Sequence, residues 1–450
     1  MKRRQFIQAG AGVSLGLAAQ LAAWAQEAGV GHESATPGGH PPQAGAAQEG
    51  AQRAAAPSGV MPSGPMSKGH DDQHEAMKRV VKSIYAPTRY VFVADRFSNF
   101  ISVTDIVSGE HVETLDFSMR PHVMELARDD AMLAVGSPEV SAIEFMNLRT
   151  RERRRVELPS PVFQLFFVPQ TNLVAVGLRD QVGMISYKDF SVRIFPRRFD
   201  SDQRQTLINT YYSLLFSSFS QSFWVLDEDR PFIYHRYGGA EPLDAPWKTI
   251  DLSRHIGSGS GLGIGVASPE DDLLAMTTDD GSEGLVYFPA QDKVLSTGPM
   301  RTVGSTNEPM IMPYIDAYSK HVIFADMEGN VALFDLVNGN GKPERFTVKF
   351  SPRFIRTGWL ESTWILAGDK GIMFQSFKDP SDRKVVRFVP EVMNMWVTGD
   401  SKTALYTLDE GAPTIYRFDI RTREPLPPIR VRGVTMASML RMGSNNSICY

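Results

Sequence analysis

From about residue 85 onward, apolar and polar residues alternate with a period of two, in short runs broken by turn-forming residues. The clearest stretch is RYVFVADRFSNFISVTDIVSGEHVETLDF. It predicts a strand over residues 90–94, a turn, a strand over 101–105, a Ser-Gly turn and a third strand over 112–117. Similar units begin near Met132 (LAVG), Leu173 (VAVG), Ser222 (FWVL), Leu273 (LAMT), His321 (VIFA), Thr363 (WILA) and Thr403 (ALYT). Their spacing of roughly 40 to 50 residues is that of four-stranded propeller blades.

A fourth strand precedes each of these units. Candidates begin near His122 (VMELAR), Pro161 (VFQLFFVP), Tyr212 (SLLFSS), Gly261 (LGIGVAS), Pro309 (MIMPYI), Arg353 (FIRTGW), Glu391 (VMNMWV) and Val434 (TMASML). The last has no following unit, and the first unit has no preceding strand. Together they complete one blade, so the expected fold is all-β, an eight-bladed β-propeller closed by strands from both chain ends. Seven blades are the alternative, but the arithmetic closes on eight. Closure removes the exposed sheet edges that an open array would leave. The blade near Tyr212 matches least well, and RRFDSDQRQTLINTYY before it reads as an insertion.

The wording of these repeats resembles the YVTN-type propeller family, in YVFVAD…NFISVTDIVSGEHVETL, RPHVMELARDDAMLAVG and GVASPEDDLLAM. The resemblance covers residues 88–440, strongly in the first blade. It is shared with the haem-d domain of periplasmic nitrite reductases and the heavy chain of methylamine-type dehydrogenases. It implies a propeller and a periplasmic habit, not a reaction. It also implies that a histidine placed as in Arg120-Pro121-His122 faces the channel.

The first 84 residues have a different texture. MKRRQFIQAG places Arg3 and Arg4 ahead of a weakly apolar Gly/Ala run over residues 9–23, and Ala23-Trp24-Ala25 suits a signal peptidase. Residues 1–25 thus read as a twin-arginine signal peptide, a route that carries folded proteins to the periplasm. Residues 26–84 are rich in Ala, Gly, Pro and Ser and cannot bury enough apolar surface to offset their ordering entropy; they read as a disordered linker before a propeller over 85–450. His70 and His74 are four apart in HDDQHEAMKR, a weak candidate metal pair on a short helix. No later stretch predicts a membrane span in the mature form.

Composition removes several functions. The net charge of −4 offers no basic excess for nucleic acid. The single cysteine, Cys449, rules out an intramolecular disulfide, a c-type haem attachment and a four-cysteine zinc site. The basic run from Arg149 to Arg155 reads as a solvated strand edge. In GSGSGLGIG the glycines fall on alternate residues, which is not dinucleotide spacing, and GSGSG lacks the helix that a nucleophile elbow needs. Alternate glycines on an inner strand act either as a fitting device or as room for a flat ligand in a widened channel. The six tryptophans do not recur at a blade position, unlike those of eight-bladed quinoproteins.

Chemistry is then expected where inner strands begin at the channel mouth. The candidates are Arg120, His122, Gln164, Glu308, Arg353, Arg356, Glu391 and Asn394. A mixed set of this kind holds an anion through charge-assisted hydrogen bonds. His122 is also placed to act as an axial ligand or general base. His111, His235, His255 and His321 read as hairpin or surface residues. With no catalytic signature present, the leading reading is a binding, scaffold or accessory subunit for a partner protein or small ligand, with no cofactor. The alternative is an oxidoreductase or cofactor-maturation protein holding a noncovalent haem-like macrocycle in the channel.

Closing a ring from two distant ends is slow from an extended thread, which gives folded export a rationale without any cofactor. Rerouting the protein through an unfolded-export signal is expected to lower recovery of soluble, folded protein; full recovery would remove that rationale.

Overall fold

The computed structural model describes residues 89–442 apart from 128–131, 169–170, 179–180, 197–213, 239–241, 244, 257–258, 271, 301–309, 388–391 and 409–412. The signal, the linker, the His70/His74 pair and the insertion before blade 4 lie outside these residues. All described residues belong to one of the two compact units into which the chain divides.

Eight four-stranded antiparallel sheets form. Blade 1 holds β1 (Tyr90–Asp95), β2 (Phe100–Asp105) and β3 (His111–Asp116). Blade 2 is β4 (Val123–Leu126), β5 (Met132–Ser137), β6 (Val140–Asn147) and β7 (Arg153–Glu157). Blade 3 is β8 (Val162–Phe167), β9 (Leu173–Leu178), β10 (Gln181–Ser186) and β11 (Val192–Pro196). Blade 4 is β12 (Leu214–Ser217), β13 (Ser222–Leu226), β14 (Phe232–Tyr237) and β15 (Lys248–Asp251), followed by one short helix, α1 (Ser253–Ile256). Blade 5 is β16 (Leu262–Ala267), β17 (Leu274–Thr278), β18 (Gly284–Phe288) and β19 (Lys293–Ser296). Blade 6 is β20 (Tyr314–Ile315), β21 (His321–Ala325), β22 (Asn330–Asp335) and β23 (Glu344–Thr347). Blade 7 is β24 (Ser351–Gly358), β25 (Thr363–Asp369), β26 (Gly371–Ser376) and β27 (Arg383–Arg387). Blade 8 is β28 (Val392–Val397), β29 (Thr403–Leu408), β30 (Thr414–Asp419) and β31 (Glu424–Arg430). The last strand, β32 (Ala437–Met442), returns to blade 1 and takes its innermost place, in the order β3-β2-β1-β32. The eight blades and the closure by both chain ends are those the sequence pattern predicts.

Burial follows depth in the blade. β1, β4 and β8 are buried throughout, whereas β15 is exposed or half-exposed along its length. Strands covered on both faces read as near-continuous apolar runs, as in YVFVA and LVAVGL. The apolar clusters cross blade boundaries: one joins Phe92, Val135, Phe145, Leu165 and Val176 from blades 1, 2 and 3. Each sheet face is therefore the core of an interface with the next blade.

Ring closure has its own contacts. Val91 pairs with Met442 and Val93 with Leu440. Beyond the ladder, the Asp95 carboxylate accepts the Thr435 amide at 2.6 Å and the Thr435 hydroxyl at 2.9 Å, and the Arg96 amide donates to the Met436 carbonyl at 2.8 Å.

The alternate glycines at Gly261, Gly263 and Gly265 serve close approach. A Cβ at Gly261 would lie 1.8 Å from the Glu228 carbonyl oxygen of blade 4, and one at Gly263 would lie 2.4 Å from Thr277 Oγ1. The fitting role holds at Gly261, Gly263 and Gly265, whereas a Cβ at Gly259 would meet nothing within 4 Å. The basic run lies on the outer rim as expected, with one addition. Arg151 bonds Glu113 at 2.6 Å and Arg153 bonds Asp116 at 2.7 Å, so the run also clamps blade 2 to the outer strand of blade 1. Exposed pairs of this kind each contribute at most about 1 kcal/mol.

Replacing Asp95 by Ala leaves the Thr435 amide without its acceptor. The expected loss is about 1–3 kcal/mol in urea unfolding, with a smaller loss for Asp95→Asn, whose amide oxygen still accepts.

Candidate functional site at the rim of blades 1 and 2

Antiparallel topology gives the ring two unlike faces. One face carries the starts of the inner strands and the turns between second and third strands. Side chains stand perpendicular to their sheet, so within a blade they point at the neighbouring blades. Each inner strand is terminal in its sheet, and most successive inner strands touch, as β4 with β8, β12 with β16 and β28 with β32. The axis is thus lined by strand edges, and side chains reach this face where the inner strands begin or from the turns between second and third strands.

This geometry corrects three of the expected channel residues. Gln164 is 2% exposed, and its Nε2 donates to the Leu214 carbonyl of blade 4 at 3.2 Å. Arg356 is 1% exposed. Its guanidinium donates to Ile355 O at 3.0 Å and to Met395 O of blade 8 at 3.1 Å, and lies 5.4 Å from the Trp396 ring centroid. Asn394 is buried as well, just beyond an irregularity in the β28–β29 register. Gln164 and Arg356 thus fasten blades together. Glu308 and Glu391 lie outside the described residues. Arg353 is half-buried, at a register shift between Pro352 and Phe354. There its Nε and Nη2 donate to Asp369 Oδ2 at 3.2 and 2.9 Å.

Arg120 and His122 come together with a residue the sequence pattern does not single out, Glu139. Pro138 and Glu139 form the turn between β5 and β6, at the same face as the start of β4. The His122 amide donates to the Gly136 carbonyl at 3.0 Å, which continues the β4–β5 ladder and fixes the backbone beneath the ring. A Cβ at Gly136 would meet Val123 and Val162 at 2.8–2.9 Å, so glycine lets the blades close here. Arg120 Nη1 donates to the Arg96 carbonyl of blade 1 at 3.3 Å, and its Nη2 pairs with Glu139 Oε1. The same Glu139 oxygen lies 3.9 Å from His122 Nε2. That nitrogen is buried and has no hydrogen-bond partner among the described residues.

Burial, reinforced by the positive charge of Arg120, pushes the His122 pKa down to about 4. The imidazole is neutral at pH 7 and offers a nitrogen as acceptor or donor according to tautomer. Both members of the Arg120–Glu139 pair reach water, and a pair this exposed contributes at most about 1 kcal/mol.

Phe97 is a second residue that the pattern leaves unmarked. It lies on the turn between β1 and β2, next to Arg96, and is 68% exposed. The Arg96 guanidinium is 5.9 Å from its ring centroid. In blades 4 to 6 the corresponding turns are acidic, with Glu228 and Asp229, Asp279 and Asp280, and Glu328. Several of the acids that begin these turns are caps: Asp326 accepts the amides of Glu328 and Asn330 at 3.0 and 2.8 Å.

The remaining histidines among the described residues pack against neighbouring side chains. His235 is buried, not superficial: it stacks on Trp224 with centroids 3.9 Å apart. His321 bonds Asp316 at 3.0 Å and stacks on Phe377 of blade 7. His111 lies between Ser102 and Thr114, and His255 beside Asp292. Among the described residues no group of three or more His, Cys, Asp or Glu is placed to hold a metal ion, and no helix is long and apolar enough to cross a membrane.

A histidine whose pKa falls on folding binds fewer protons in the native than in the unfolded state between pH 4 and its ordinary value near 6.5. Its contribution is complete above that window and is lost as pH falls through it. His122→Gln is therefore expected to flatten the decline in stability between pH 7 and 4.5, read by urea unfolding. An NMR titration should find the wild-type imidazole neutral down to about pH 4.

No family model matches the sequence, and no curated protein matches it. Solved structures do. One, described as dihydro-heme d1 dehydrogenase NirN in complex with DHE, aligns with TM-score 0.59 at 14% identity over 77% of this chain and 74% of its own. Another, apo AztD from Citrobacter koseri, aligns with TM-score 0.47 at 9% identity over 79% of this chain and 98% of its own. The first of these likenesses and the eight closed sheets agree on one conclusion, that this chain has the fold of a β-propeller.

Proposed function

We propose that this chain is an exported, periplasmic β-propeller that acts by binding, with residues 1–25 as the twin-arginine signal, 26–84 as the linker and 85–450 as the propeller. Its ligand site is the rim between blades 1 and 2, where Arg120, His122 and Glu139 meet. The observation that carries this reading is the buried Nε2 of His122, which has no hydrogen-bond partner among the described residues and belongs to an imidazole held neutral. A buried polar atom without a partner forgoes stabilisation, and a titratable group with a strongly perturbed pKa supports a functional role. Arg120 beside it offers planar, permanently charged donors suited to an anion.

The same nitrogen favours a second reading, in which His122 is the axial donor to a noncovalent haem-like macrocycle and Arg120 pairs with an acidic substituent of it. The likeness in fold to a propeller described in complex with DHE supports this. The macrocycle would supply redox chemistry; the chain would hold and orient it.

The test is the protein purified from the periplasm of its native host, as wild type and as His122→Ala, compared by visible absorption and native mass spectrometry. The expected result is a bound small molecule in the wild type that is lost in the variant. With no visible band, the first reading stands. A Soret-like band lost in the variant selects the second. A bare wild-type protein, or a ligand retained in the variant, would overturn this site.

A further inference from the structure

The rim site, if it binds as proposed, makes two demands on its ligand. The first comes from Glu139. Its carboxylate pairs with Arg120 Nη2 and stands 3.9 Å from His122 Nε2, yet its side chain is 54% exposed. It is an anion of the chain's own, standing where an external anion would be gripped. Because both partners of the pair reach water, exchanging one carboxylate for another on Arg120 costs little.

The second demand comes from Phe97. It is the one aromatic residue among the described turns between second and third strands, and it is largely exposed. Its neighbour Arg96 supplies the carbonyl that Arg120 holds. A phenyl ring left in water offers a face for stacking that a planar ligand would cover. Phe97 follows Arg96 directly in the chain, so its backbone adjoins the carbonyl that Arg120 holds.

We infer that the site takes a small planar aromatic carboxylate, whose carboxylate replaces Glu139 on Arg120 while its ring lies against Phe97. Departure of Glu139 uncovers His122 Nε2, which then hydrogen-bonds the incoming group. Glu139 is a built-in competitor that sets the affinity, and Phe97 selects arenes over aliphatic acids.

Isothermal titration with 2-naphthoate and with neutral 2-naphthol tests this on the mature protein. Wild type should bind naphthoate more tightly than naphthol. Glu139→Gln should tighten naphthoate about two- to fivefold, the range that an exposed ion pair allows. Phe97→Ala should weaken it about two- to tenfold, the range of an aromatic contact. Both side chains are exposed, so both variants should fold, and matching urea curves check it. Equal affinity for the two probes would overturn the inference, as would no binding of naphthoate or no effect of either substitution. None of these outcomes touches the rim reading, which falls only if the native ligand survives His122→Ala or is absent from the wild type.

Discussion

The pairing of β32 with β1 fixes the place of every other strand, because a ring of blades has no end only if its last strand finds its first. Residues 340 apart meet there, at Asp95 and Thr435. Loop-closure entropy opposes so long a connection, but it grows only logarithmically with length. What offsets it is distributed: each blade buries both faces of its inner strands against its neighbours, and closure completes the last two such interfaces. The hydrogen bonds of Asp95 locate the join rather than supply its energy.

Face-to-face packing also decides what the ring can do. It consumes the side chains of the inner strands, including polar ones. Arg356 and Gln164 sit in the interfaces and satisfy backbone carbonyls of the next blade. The channel wall is left to strand edges, and chemistry is confined to the few positions where a strand begins or a turn leans inward. A propeller is for this reason a rigid frame with a variable rim, and its sites are built from short segments far apart in sequence.

At the rim of blades 1 and 2, the inner-strand start supplies Arg120 and His122, while the turns supply Phe97 and Glu139. The acidic turns of blades 4 to 6 give the opposite side of that face another character. The neutral state of His122 comes from burial and from Arg120, so one arginine both grips an anion and keeps the imidazole uncharged.

Much of this was legible in the sequence. The period-two alternation and the 40- to 50-residue repeat determined the strands, the eight blades and the closing strand, because they arise from local backbone geometry and burial that each unit repeats. Arg120 and His122 could be singled out because they precede an inner strand. Glu139 and Phe97 could not, since a turn residue gives no local sign of which strand start it will face. Nor could the sequence show that Gln164 and Arg356 turn into blade interfaces or that Asn394 is buried: a one-residue shift in register redirects a side chain, and register is set by packing against the partner strand. The sequence thus determined the ring and its order, while only the tertiary structure decided which polar residues reach the mouth, because that depends on how neighbouring blades meet.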